Sequence, residues 1–159
     1  MTLTIRPAVR EDAPVLTRLT MRVLRAHADA YPWRFKALHP DNPAVTAWYE
    51  SMLDSPLNPI AIAFDGDMPV GYAACSLHMA LDHPLVFGST SLVIEQISVE
   101  QAYEGKGVGR RLLEWALDVA HERKAQRVQL VVHDFNTRAI AFYERHGFER
   151  LSHTMVKLL

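Results

Sequence analysis

One stretch constrains the fold more than any other: TSLVIEQISVEQAYEGKGVGRRLLEWALDVAHERKAQRVQLVV, residues 90–132. It opens as an apolar strand from about Thr90 to Val99 and passes through three glycines on alternate positions, Gly105, Gly107 and Gly109. Val108, Leu112, Trp115, Ala116 and Val119 then recur at helical spacing, which predicts a helix from about Gly107 to Arg123. RVQLVV follows as a strand whose few charges suggest burial on both faces. A strand, a helix and a strand in this order make a parallel pair with a right-handed crossover. The glycine turn then lies at the carboxyl end of a strand, where ligands bind in open α/β sheets.

The flanking sequence supplies the rest of an α/β fold. Leu3 to Ala8 alternates as a short strand, and Leu16, Leu19, Val23 and Leu24 mark a helix from Glu11 to about His27. Asp29 to Asn42 has no clean period and reads as a loop. A second helix begins near Pro43 with Asn42 as its cap and ends by Ser55. Strands Ile60 to Asp65 and Met68 to about Met79 form a hairpin around Asp65-Gly66. NTRAIAFYERHG is a helix capped by Asn136 and stopped at Gly147, and Phe148 to Leu158 is expected to form a final strand. The expectation is a single domain over residues 1–159, with a central mixed sheet and helices on both faces.

Charge and cysteine usage narrow the function. With 17 Lys and Arg against 18 Asp and Glu, no global field draws the chain to nucleic acid or an anionic membrane, so neither is expected as a partner. The lone Cys75 excludes a disulfide framework or a cysteine-rich metal site, and reads as a small buried residue rather than a nucleophile. His121, His146 and His153 are scattered, and His133-Asp134 lacks a second ligand at metal spacing, so no metal is expected. No signal-length apolar stretch opens the chain and no run approaches the ~20 residues of a membrane span, so a cytoplasmic location is expected.

Helix N-termini present unpaired N–H groups and about half a unit of positive charge, and glycines let the backbone come close to an anion. The turn therefore suits a phosphate, although a ligand-free strand-to-helix turn would use the same residues. A triphosphate-binding loop ending Gly-Lys-Ser/Thr fits poorly, because Arg110 and Arg111 follow Gly109 and its usual lysine and magnesium-binding hydroxyl are missing. The dinucleotide fingerprint fits poorly too, since these glycines are spaced two and two.

ISVEQAYEGKGVGRRLLEWALDVA followed by VQLVVHDFNTRAIAFYERHGF resembles the core of the GNAT superfamily of acetyl-CoA-dependent N-acetyltransferases. The resemblance implies splayed parallel strands with coenzyme A between them. The loop amides of Gly105, Lys106, Gly107, Val108, Gly109 and Arg110 would hold its pyrophosphate, and the edge at Ile97, Ser98 and Val99 would pair with the pantetheine. Asn136, Phe142 and Tyr143 would flank the arm, Asn136 being equally explained as a helix cap. The family pattern has Arg or Gln where this chain has Glu104, a carboxylate that would oppose the anion unless it pointed away.

The resemblance also implies an acetyl transfer to a primary amine of a small molecule or peptide, by direct attack in a ternary complex. Glu95 is the candidate base, placed by period-two geometry on the face of Ile97 and Val99. A salt-bridged or solvent-facing Glu95 is the alternative. Tyr143 is the candidate acid for the departing thiolate. Tyr31, Trp33 and Phe35 would line the acceptor site with Glu95, or else pack as an ordinary loop. A homodimer is compatible with the resemblance. Two rival functions remain: a non-catalytic acyl-CoA-binding or sensing module of the same fold, and a nucleotide-binding fold without acyl chemistry.

Overall fold

Asp12 shows how local chemistry starts the first helix. Its carboxylate accepts from both Arg6 guanidinium nitrogens, at 2.6 and 2.9 Å, and from the Val9 N–H at 2.8 Å. The first helix, α1 (Ala13–Ala30), leaves this point with Leu16 and Leu19 on its buried face. It continues three residues beyond the expected end at His27, up to Tyr31 in front of Pro32, where the following proline disfavours helical backbone. The computed structural model describes residues 2–159.

The remaining elements follow the sequence reading closely. Strand β1 is Leu3–Pro7, and α2 (Pro43–Leu53) is capped by Asn42, whose side chain accepts from the Ala44 and Val45 N–H groups. Then come β2 (Ile60–Asp65), β3 (Met68–Ala80), β4 (Ser89–Val99), α3 (Val108–Glu122), β5 (Arg127–Leu130) and α4 (Thr137–Arg145). The sheet order is β1-β2-β3-β4-β5, with three antiparallel pairs and a parallel β4–β5 pair.

The helices α1 and α2 cover one face of the sheet, packing Leu16, Leu19 and Tyr49 on Ile60, Ile62, Tyr72 and Ala74. The opposite face is covered by α3, whose Leu112, Leu113 and Ala116 meet Ala73, Cys75, Leu92 and Ile94. Phe142 and Tyr143 of α4 join that second layer.

Two expectations fail. Residues 148–159 form no strand: Phe148 packs on Tyr143 at 5.5 Å between ring centroids, and every residue after it is exposed. Alternation alone makes no strand without a neighbouring edge to pair with. β5 is half-buried rather than enclosed on both faces: Val128 and Leu130 pack into the layer under α3, while Arg127 and Gln129 on the other face are exposed.

Candidate active site

The parallel pair is short. β4 and β5 are in register only from Ser91 to Ile94, opposite Arg127 to Leu130. From Glu95 onward β4 is paired to β3 alone, so its other edge is open over the five residues to Val99. The splayed pair is therefore a feature of this sheet.

A bulge sits where the strands part. Opposite β3, Ile94 pairs with Cys75 and Gln96 with Ala74, which leaves Glu95 as the extra residue. A bulge puts two residues against one and resets the alternation. Ile94, Ile97 and Val99 consequently all face α3, whereas Gln96 and Ser98 face α1. This overturns the expected placing of Glu95 on the face of Ile97 and Val99. Its carboxylate accepts from the Ser76 hydroxyl on the α1 and α2 side.

Glu95 opens onto a pocket of about 400 Å³ between α2 and the sheet, lined by Trp48, Met52, Asn58, Ser76, His78 and Gln96. His78 Nε2 lies 2.9 Å from the Ser76 Oγ and 4.0 Å from the Glu95 carboxylate. The Ser76 proton points to Glu95, so the histidine N–H is the donor to Ser76. Beneath the pocket, Gln96 Oε1 accepts from the Tyr72 hydroxyl and from Thr20, at 2.9 Å for the latter, and Tyr49 donates to Tyr72 at 3.2 Å. This buried network fixes the residue after the bulge, and burial raises both phenol pKa values.

At the end of β4 the chain turns through Gly105 and Gly107, whose φ angles are +73° and +85°. A side chain there would meet nothing within 4 Å but would strain the backbone. Neither backbone nor side chain accepts from the N–H groups of Gly105, Gly107, Val108, Gly109 and Arg110 among the described residues. The Val108 side chain is buried in the core, so only its amide is available. Lys106 stands over the Tyr103 ring at 5.1 Å, and Arg110 pairs with Glu114 at 3.1 Å.

Glu104 does not stand free beside these amides. It is bridged by Arg22 of α1 and Arg138 of α4, and Arg22 also donates to the Val99 carbonyl at 2.6 Å. Burial pushes the carboxyl up, but the bonds from Arg138 and Arg22 outweigh it and hold Glu104 below the usual carboxylate range.

The other predicted residues divide by face. Tyr143 lies on the α3 side near Cys75, and burial with the nearby thiol pushes its phenol up to about 12. Phe142 packs edge-on to Tyr143 at 5.2 Å and lies beside the backbone of Gly109. Asn136 caps α4 by accepting from the Ala139 N–H at 3.1 Å. The Ser98 hydroxyl is directed at the Leu19 carbonyl, so its side chain faces away from the gap.

Tyr31, Trp33 and Phe35 come together, but away from the Glu95 pocket. Tyr31 and Phe35 gather with His27, His133 and Phe135 at centroid distances of 5.0–6.1 Å, fastening the end of α1 to the β5–α4 loop. Trp33 packs on Tyr31. Sequence reasoning missed Ser76 and His78, which alternate on β3 and were legible as a polar face once that strand was assigned. Arg22 and Arg138 carried no local signal, since they meet Glu104 across 82 and 34 positions.

The model of the acetyltransferase (GNAT) family matches residues 21–148. Streptothricin acetyltransferase of Streptomyces lavendulae is 38% identical over 89 residues, 56% of this chain and 42% of its own length. The N-alpha-acetyltransferase RimI of Mycobacterium tuberculosis is 35% identical over 111 residues, 70% of this chain and 65% of its own. The chain thus spans less than two thirds of either relative. A tetramutant of the BH1408 protein from Bacillus halodurans superposes with a TM-score of 0.91 at 22% identity, covering 98% of this chain and 99% of that one. The aminoglycoside N-acetyltransferase AAC(6')-Iy, solved with CoA, gives 0.78 at 16% identity, with 99% and 94% covered. At these identities the likeness is one of fold.

Proposed function

The chain belongs to the acetyltransferase (GNAT) family, and from that premise we propose that it moves an acetyl group from acetyl-CoA to a primary amine within a ternary complex. One observation carries the reading. β4 loses its partner after Ile94 and ends, five residues later, at a turn with five unpaired N–H groups. An extended arm has a free strand edge to lie against, and a diphosphate at its end has a set of amide donors at a helix N-terminus.

When bound, acetyl-CoA supplies a thioester activated for acyl transfer. The amides of Gly105 and of Gly107 to Arg110 hold the diphosphate, with Lys106 beside them. The open backbone of Ile97, Ser98 and Val99 orients the arm, while Phe142 and Asn136 flank it. Cys75 is fully buried and its thiol is raised to about 12 by burial and by Glu95, which argues against a cysteine acyl carrier.

The bulge gives the two titratable groups opposite sides of the sheet. Glu95 faces the pocket with Trp48 and takes a proton from the acceptor amine, whose ordinary pKa is about 10.4. Ser76 donates to that carboxylate and His78 to Ser76, which keeps Glu95 in its ionised, proton-accepting form. Tyr143, on the far side, keeps its phenolic proton at neutral pH and holds it at Oη for the leaving sulfur.

The acceptor is a small or peptide amine, in keeping with relatives named for streptothricin and for N-alpha-acetyl transfer. Its cation is met by Glu95, and Tyr31, Trp33 and Phe35 close the side of the gap next to the β5–α4 loop. No helix among the described residues is long and apolar enough to cross a membrane, and we place the reaction in the cytoplasm. We further infer a homodimer, since the outer edge of β5 and the exposed Leu151, Met155 and Val156 leave apolar surface for a second copy to cover.

The test is a panel of polyamines, amino acids, aminoglycosides and peptide N-termini offered with acetyl-CoA, with free thiol as the readout. Thiol release with one class supports the enzyme. Tight coenzyme A binding without release for any amine overturns it in favour of a binding module.

A further inference from the structure

Glu104 is where this chain departs from the loop pattern it otherwise follows, and the structure shows what the carboxylate does instead. It joins three elements at the end of β4: the turn that carries it, α1 through Arg22, and the first turn of α4 through Arg138. Arg22 is anchored as well on the carbonyl of Val99, the last residue of the open strand edge. The bridge therefore crosses the mouth of the gap, beside the free amide of Gly105.

Few other cations near the turn remain uncommitted. Arg110 and Arg111 both lie against Glu114, at 3.1 and 3.8 Å, and Lys106 rests on the Tyr103 ring. Arg22 and Arg138 are the guanidinium groups placed at the mouth itself, and planar guanidinium pairs phosphate as readily as carboxylate. A carboxylate and a diphosphate cannot both hold them without like charges meeting at close range.

We propose that the Arg22–Glu104–Arg138 bridge is a latch on the cofactor's diphosphate: the two arginines pass from the carboxylate to the phosphates on binding, and Glu104 reclaims them when the cofactor leaves. This rests on the reading that the Gly105 to Arg110 turn takes the diphosphate. Glu104 thereby lowers cofactor affinity and speeds exchange of spent coenzyme A for acetyl-CoA. Where the family pattern puts a cation or a neutral amide to assist the anion, this chain puts its competitor.

Calorimetric titration with coenzyme A, inorganic pyrophosphate and S-acetylpantetheine tests the latch. Glu104→Gln is expected to bind coenzyme A and pyrophosphate about tenfold more tightly than wild type, a shift of about 1.4 kcal/mol. S-acetylpantetheine, which lacks the diphosphate, should bind both proteins alike. Arg138→Gln should bind coenzyme A about tenfold more weakly; this position is 69% exposed and does not depend on the fold tolerating a change at 104. The double variant should fall back to wild-type affinity or below.

Unchanged or weaker coenzyme A binding by Glu104→Gln overturns the latch, as does wild-type affinity in Arg138→Gln. In both cases binding by the wild type leaves the cofactor reading standing. Failure of the wild type to bind coenzyme A removes that reading and the latch together.

Discussion

At the scale of single residues, Glu95 carries more than its identity. An inserted residue in β4 turns its carboxylate to the α2 side, while Tyr143 stays on the α3 side. Replacing Tyr143 by Phe removes the phenolic hydroxyl and leaves the packing against Phe142 and Phe148 in place. Turnover of the best acceptor should fall by ~10² while the coenzyme A dissociation constant changes less than twofold, as read by steady-state kinetics and calorimetry. Equal losses in both would mark a purely structural tyrosine. The residue types at the candidate site were legible in the sequence, but the face of Glu95 was not. A period of two cannot reveal a bulge, because the bulge is set by pairing with β3 and by Gln96 anchored on Thr20 and Tyr72.

At the scale of elements, the turn into α3 and the chain after α4 behave oppositely. Gly107 caps α3 at φ +85°, a conformation that a β-branched side chain adopts only under strain. Gly107→Val should cost about 1–2 kcal/mol in urea unfolding and abolish coenzyme A binding in calorimetry. Binding that survived unchanged would remove the turn from the site. Most elements were readable because their signals are local: the strand-like runs of β2 and β3 around Asp65-Gly66, the Asn42 cap of α2, and the apolar stripe of α3. The run from Phe148 to Leu158 has strand-like composition and forms none, since its outcome depended on an edge no local pattern encodes. The meeting of Glu104 with Arg22 and Arg138 was hidden for the same reason.

At the scale of the whole molecule, stability should have a limb on each side of neutrality. The Arg6 hydrogen bond, opposed by burial and aided by the Val9 N–H, holds Asp12 below the usual carboxylate range. A depressed carboxyl stabilises the fold above the unfolded value of about 3.9, and that contribution is lost as pH falls through the folded one. Tyr49, Tyr72 and Tyr143 are raised by burial, so their contribution is complete below the unfolded value of about 10 and is lost as pH climbs beyond it. Burial and the neighbouring His27 hold His133 below the usual histidine range, so the unfolded chain gains a proton first as pH falls below about 6.5, and burial raises the Cys75 thiol to about 12 from an unfolded value of about 8.5; urea midpoints should therefore form a plateau between about pH 7 and 8 and decline on both sides. Asp12→Asn should lower the plateau and flatten the acid limb, and a profile parallel to wild type would refute the assignment.

β4 is a central strand with one side of its second half unzipped, and this has a consequence for isotope exchange. Amides of β4 after Ile94 that point away from β3 have no ladder acceptor. In D₂O the label should enter the heart of the sheet there as fast as it enters a surface loop, while Ser91 to Ile94 stay dark for far longer. Whatever molecule lies down along that seam will announce itself by silencing those few positions.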